Sequence, residues 1–168
     1  TITAESGEMP VVNAPRYLTE AEAVNQLRTY MIQRKETCTI YVKSESYDYQ
    51  EVGSAILEKV FVHDGTPTGG DYLALHCLDG GAHVEREHDG TYYLYTFEFE
   101  FVYTTSGAQE SELEGAVSTL LNRLNVTYKS DYEKVSAVYN YLRSNITYDE
   151  AHANDQSSLL QHTAYAAL

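Results

Sequence analysis

Aromatic and polar residues alternate strictly from Thr91 to Thr104. Tyr93, Tyr95, Phe97, Phe99, Phe101 and Tyr103 take the odd positions, and Thr96, Glu98, Glu100 and Thr104 fall on the even ones. A period of two predicts a strand with one buried and one wet face. Three shorter stretches share that period. Thr37–Lys43 reads as a strand, as do Tyr72–Leu78 and Ala82–Glu87. A turn is predicted at Asp79-Gly80-Gly81. A second is predicted at Asp89-Gly90, with positive φ at both of its central residues, so that the last three strands form a meander.

Elsewhere the apolar period lengthens to that of a helix. Thr19 with Glu22 is a capping box opening a helix that runs to about Arg34 and buries Ala23, Val24, Leu27, Tyr30 and Met31. Ser46 or Asp48 caps a second helix, with Val52, Ile56 and Val60 on one face. Gly65–Gly70 is a loop. Ser106 with Gln109 opens a helix whose stripe is Leu113, Val117, Leu120, Leu121 and Leu124. After a linker, Asn125–Lys129, Ser130 with Glu133 opens another that buries Val135, Val138, Tyr139 and Leu142. A polar stretch from Asp149 to Ser158 precedes an apolar run from Leu159. Residues 1–17, with Pro10 and Pro15, read as an extended leader. The whole predicts an α+β fold, an antiparallel sheet with helices packed on its apolar face.

The chain closes on Thr163-Ala164-Tyr165-Ala166-Ala167-Leu168, an apolar run without cap, glycine stop or polar tail. A helix end of that kind needs a further turn to cover it, so the polypeptide is expected to continue. Leu159, Leu160, Tyr165 and Leu168 are expected either to pack onto the preceding domain or to seek a second copy in a homodimer. At 168 residues there is room for one domain, or for a small domain and part of another.

Charge narrows the partners. The net charge is −14, from 25 acidic and 11 basic residues. Such a balance disfavours nucleic acid and anionic membranes. Between Glu85 and Glu114 lie eight acidic residues and one basic residue, Arg86. That strip suits basic or neutral substrates, and its plainest role is a solvated face. No stretch is apolar enough to span a bilayer. No signal peptide is present, and Thr1 in place of Met points to a trimmed start. With 16 tyrosines and little lysine, the composition suits an exported bacterial protein at the cell surface or outside the cell.

Candidate chemistry is sparse. Cys38 alternates with Ile40 and Val42, and Cys77 with Leu73 and Leu75, so both thiols are expected in strand cores as small hydrophobes. A single Cys38–Cys77 bridge is the alternative in an oxidising compartment. Neither sits at a helix N-terminus, where a thiolate would be stabilised. His83, Glu85 and Glu87 share a strand face with His88 nearby, a set that holds a divalent cation or simply guards an edge strand. Asp149, Glu150, His152 and Asp155 lack the spacing and turn glycine of a calcium loop and read as solvated. The aromatic row is either core or a stacking platform for sugars or a partner strand. No G-x-S-x-G elbow and no phosphate-cradling glycine loop occur. No catalytic, cofactor or metal residue is assigned within the chain.

From Asp131 onward the sequence resembles the opening of the bacterial transglutaminase-like family, within the papain-like cysteine-nucleophile superfamily. Members show a helix E-K-V-x-x-[IV]-[YH]-x-[YW]-[LI] and then N-I-x-Y-D. Those positions are Glu133, Lys134, Val135, Val138, Tyr139, Tyr141 and Leu142, then Asn145, Ile146, Tyr148 and Asp149. The later T-A-Y-x-A-L matches Thr163–Leu168. Upstream, Met31-Ile32-Gln33-Arg34 before a strand, and Tyr103-Thr104-Thr105 before Gln109-Glu110, resemble leader domains of such proteins.

The resemblance implies a leader at 1–17, an α+β N-terminal domain at 18–129, and the first helices of an incomplete transglutaminase-like domain at 130–168. It implies a parent enzyme whose thiolate attacks an amide of a protein or peptide substrate, with histidine as base and aspartate orienting it. The family's Cys, His and Asp would all follow Leu168, so none is carried over. His162 is not the family's catalytic histidine and is expected on the exposed side of the terminal helix. The alternative is a self-contained surface module, binding or purely structural.

Overall fold

A computed structural model of the chain describes residues 14–147, 150, 159–160 and 163–168. Their elements run α1 (Glu20–Ile32), β1 (Thr37–Ser44), α2 (Tyr49–Val60), α3 (Gly70–His76), β2 (Cys77–His88), β3 (Tyr93–Tyr103), α4 (Gly107–Leu124), α5 (Asp131–Asn145) and α6 (Ala164–Ala167). The fold is α+β. The three strands form one antiparallel sheet in the order β1-β3-β2, with helices on one face.

β3 is central because its odd residues form the longest apolar ridge in the chain. Tyr95, Phe97, Phe99 and Phe101 are buried, and Tyr93 and Tyr103 are half-buried. Successive rings from Tyr95 to Phe101 lie 5.6 Å apart. On β1, Ile40 sits opposite Phe97 and Val42 opposite Tyr95. Ala23, Val24, Leu27 and Met31 of α1, Val52, Ile56 and Val60 of α2, and Leu73 of α3 complete the core. Burying each large side chain contributes about 1.5–3 kcal/mol. Gly53 lets α2 approach the sheet closely: a Cβ there would lie 3.1 Å from the Phe97 ring.

All three capping boxes form, at Thr19, Ser106 and Ser130. Of the two cap candidates for α2, Asp48 takes the role and accepts from the Gln50 and Glu51 amides. α1 ends in a paired set of reverse bonds, Lys35 N–H to Tyr30 O and Arg34 N–H to Met31 O. That motif normally places glycine in the left-handed position. Here Arg34 holds it, at φ 54°.

Three expectations fail. The first is the strand at Tyr72–Leu78, where α3 stands instead. Leu73 and His76, spaced i and i+3, are its buried side, while Leu75 is 68% exposed. The alternation of Leu73, Leu75 and Cys77 was too short to separate the two periods.

The second is the turn at Asp79-Gly80-Gly81. β2 runs straight through it, with a register shift between Cys77 and Asp79. Gly80 is there for space, since a Cβ would meet the Phe101 ring at 2.9 Å. The meander is therefore one hairpin. At its Asp89-Gly90 end only Gly90 has positive φ, and the Asp89 carboxylate accepts from the Thr91 and Tyr92 amides.

The third concerns the later helices. α4 buries only Leu113 and Leu120, outside the sheet core, and α5 buries nothing among the described residues. The faces read as buried in α5 are instead open: Val135 is 69% and Tyr139 59% exposed. The aromatic row is covered by α1, α2 and α3, and α5 lies against α4 instead of on the sheet. α6 lies against α4, and the Tyr165 hydroxyl donates to Glu112 at 2.7 Å. Leu159 and Leu168 stay exposed.

Candidate functional site

Both thiols are free. Cys38 lies on the apolar face of β1, opposite Phe99, as its alternation predicts. Cys77 does not lie inside a strand pattern but opens β2, opposite Tyr103. The two flank β3 on opposite sides, displaced along it, so no bridge joins them. Burial pushes the Cys38 thiol up to about 11, against the nearby Lys35 charge. Burial also raises Cys77, with Arg34 opposing. Neither environment favours the thiolate a nucleophile requires.

His83, Glu85 and Glu87 project from the polar face of β2, but His88 turns to the other face and rests against Tyr93 at 4.6 Å. Among the described residues no group of three or more His, Cys, Asp or Glu side chains could hold a metal ion. Of the second polar set only Glu150 is described, and it is exposed. Asp149, His152, Asp155 and His162 lie outside the described residues. Nor is the aromatic row of β3 a platform, since its rings are core.

One polar constellation escaped the sequence. Arg34, only 6% exposed, sends its guanidinium between the Tyr72 and Tyr103 rings, 5.5 and 5.4 Å from their centres. It donates to the Met31 carbonyl at 3.1 Å, to Thr105 Oγ1 at 3.3 Å and to Glu110 Oε1 at 3.0 Å. Glu110 also accepts from the Tyr72 hydroxyl at 2.9 Å and from the Thr105 hydroxyl. Burial alone would raise the Glu110 carboxyl, but the hydrogen bonds from Thr105 and Tyr72 and the Arg34 charge outweigh it and hold the group below its ordinary 4.5. Tyr72 is pushed up to about 12, first by burial and then by Glu110. No buried side-chain nitrogen or oxygen in the cluster lacks a partner, and it ties the end of α1 to α3, to the end of β3 and to the start of α4. This arrangement holds a fold together rather than awaiting a substrate.

Beside it, His76 is 3% exposed, bonded through Nδ1 to Thr104 Oγ1 at 2.5 Å, with the tilted Tyr72 ring 4.3 Å away. Burial, with Arg34 adding repulsion, lowers its pKa from 6.5. The unfolded chain therefore binds this proton more readily than the folded one, and stability falls as the pH drops below about 6.5. Denaturant unfolding at pH 7.5 and 5.5 should show a loss that His76→Asn largely abolishes. An equal loss in the variant would remove His76 from the acid response.

The residues that resemble the transglutaminase-like opening lie mostly on α5. Glu133 closes the capping box on Ser130, and Lys134 bonds Asp131 at 3.1 Å. Arg123 lies over the Tyr141 ring at 5.1 Å, fixing α5 against α4. Asn145 donates to the Tyr141 carbonyl, and Ile146 is 41% exposed. Tyr148 and Asp149 lie outside the described residues. Thr163 caps α6. Val135, Val138, Tyr139 and Leu142 join Leu121 and Val126 around an open apolar trough of about 530 Å³.

Compared with protein-family models, curated proteins and solved structures, the chain matches none of them. No described helix is long and apolar enough to cross a membrane.

Proposed function

We propose that this chain is the non-catalytic N-terminal region of an exported bacterial transglutaminase-like protein, and that it braces the catalytic domain. In this reading the α+β part through Lys129 is the support, and α5 is the first helix of the enzyme domain. The observation that supports it is the open trough along α5. The helix carrying E-K-V-x-x-V-Y-x-Y-L is fully formed and capped, yet it turns Val135 and Tyr139 to solvent beside Leu121. Such a face suits the packing of further helices. The nucleophile of the parent would come from those helices, as burial outweighs the nearby Lys35 and Arg34 charges and keeps Cys38 and Cys77 in the thiol form. The parent's thiolate would attack an amide and pass the acyl group to an amine or to water.

The test is an amine-incorporation assay of this chain with a glutamine donor, together with the coding sequence after Leu168. No turnover is expected, and a cysteine opening a helix is expected within a few turns of Leu168. Turnover that vanished in Cys38→Ala or Cys77→Ala would sink the proposal, and so would a coding sequence that continued without such a cysteine.

A further inference from the structure

The geometry points to a second use of the sheet: the β2 edge takes an extended segment of another polypeptide as a fourth strand, one alternating apolar and basic side chains. This does not depend on the transglutaminase-like reading.

The order β1-β3-β2 leaves two edges. The β1 edge is partly occupied, because Leu18 bridges Val42 with backbone bonds to Tyr41 and Lys43. β2, over Cys77–His88, pairs only with β3 among the described residues. Strand edges are commonly protected by shortness, proline, charged side chains, bulges or a covering helix. β2 spans 12 residues without proline, and its single irregularity lies at the very start, between Cys77 and Asp79. It does carry charge: Arg86 faces the helical side, where it is held over the Tyr47 ring, and the carboxylates of Asp79, Glu85 and Glu87 lie on the other face, where they repel acidic strands and attract basic ones. Asp79 to His88 stays in unbroken register with β3.

The two sides of this edge differ. On the helical side, Ala82 and Val84 lie opposite Phe99 and Phe97 and so share the face of the aromatic row. Ala82 is nevertheless exposed and Val84 half-buried, because α2 covers β3 but stops short of β2. A trough remains between them. One hollow of about 370 Å³ is lined in part by Leu57, Phe61 and Ala82, and a second of about 590 Å³ by Tyr47, Asp48, Tyr49, Val84 and Arg86, whose guanidinium is held over the Tyr47 ring at 3.6 Å. On the other side, Asp79, Glu85 and Glu87 of β2 stand with Glu98 and Glu100 of β3. All five are exposed, and none is in an ion pair among the described residues.

An added strand places alternate side chains on the two faces. Apolar ones enter the trough beside α2, and Lys or Arg meets the carboxylates. A second copy of β2 would bring its own Glu85 and Glu87 to the same face, where like charges repel. The charge pattern therefore selects a foreign basic segment over self-pairing.

The probe is a synthetic peptide of alternating valine and lysine, about eight residues long to match an ordinary strand. Its controls are the valine–glutamate counterpart and the valine–lysine peptide N-methylated at alternate residues, which keeps the charge but cannot pair. Fluorescence anisotropy should show the unmodified lysine peptide binding at least about tenfold more tightly than either control. Hydrogen exchange should show new protection in residues 79–88, and the exposed double variant Glu85→Gln, Glu87→Gln should weaken binding several-fold. Equal binding of the N-methylated peptide would mean charge attraction alone and overturn the inference. Protection elsewhere on the chain, or a dimer closed through β2, would overturn it as well.

Discussion

Glu110→Ala should destabilise the fold by about 3–5 kcal/mol, a large share of the roughly 5–15 kcal/mol expected for a domain of this kind. The size follows from what is left behind. The Arg34 side chain is 1% exposed, and Glu110 is its only ion-pair partner among the described residues. Removing the carboxylate strands a guanidinium away from water and also deprives the Tyr72 and Thr105 hydroxyls of their acceptor. Urea unfolding would measure the loss, and a change under about 1 kcal/mol would mean that water replaces the carboxylate. Replacing Arg34 and Glu110 together, by methionine and leucine, should restore much of it, because no unpaired charge then remains. Since the folded pKa of Glu110 is held below 4.5, its contribution is present above that pH and lost as acid protonates the folded group.

Sequence pattern was sufficient where a signal ran long. The aromatic alternation of β3, the Thr19, Ser106 and Ser130 caps and the i, i+4, i+8 stripe of α2 all correspond to observed elements. It misled at residues 72–81. There a three-residue alternation fits a helix or a strand, and paired glycines signal a turn whether they supply positive φ or simply remove a Cβ. Gly80 does the second, and the Phe101 ring that requires it lies far along the chain. α5 misled differently. Amphipathicity says which face wants burial, not whether a partner is there to bury it, and the aromatic row is covered by α1, α2 and α3.

The Arg34 cluster was less legible still. Its members lie just past the end of α1, in α3, at and just past the end of β3, and in α4, with no spacing to link them. The one local clue is an arginine in the left-handed position that closes α1, where glycine would be free of strain and arginine costs about 1–2 kcal/mol. A residue that accepts that cost is held by its side chain, and here five hydrogen-bonding and ring contacts do so. The trough along α5 was visible as a stripe of Val135, Val138, Tyr139 and Leu142, but not as an open one.

Phe97→Ala should cost about 3–5 kcal/mol, and what it does to Gly53 separates packing from mere hydrophobicity. Phe97 is 1% exposed, sits between Tyr95 and Phe99 in the ridge, and is flanked by Ile40 and Val84 on the adjoining strands. Its truncation opens a void in the middle of the core that stacked neighbours on a rigid strand cannot close. In the native protein, Gly53→Ala brings a methyl within 3.1 Å of the Phe97 ring, so any helix-propensity gain of about 1 kcal/mol is offset by the clash. With the ring removed, the same methyl enters empty space and the propensity gain survives. Gly53→Ala should therefore be near neutral or destabilising alone, and stabilising by about 1 kcal/mol or more in the Phe97→Ala background. Thermal or urea unfolding of the four proteins in the cycle measures the coupling. Additive effects would mean that α2 does not rest on Phe97, and that the close approach at Gly53 does not set the distance between helix and sheet.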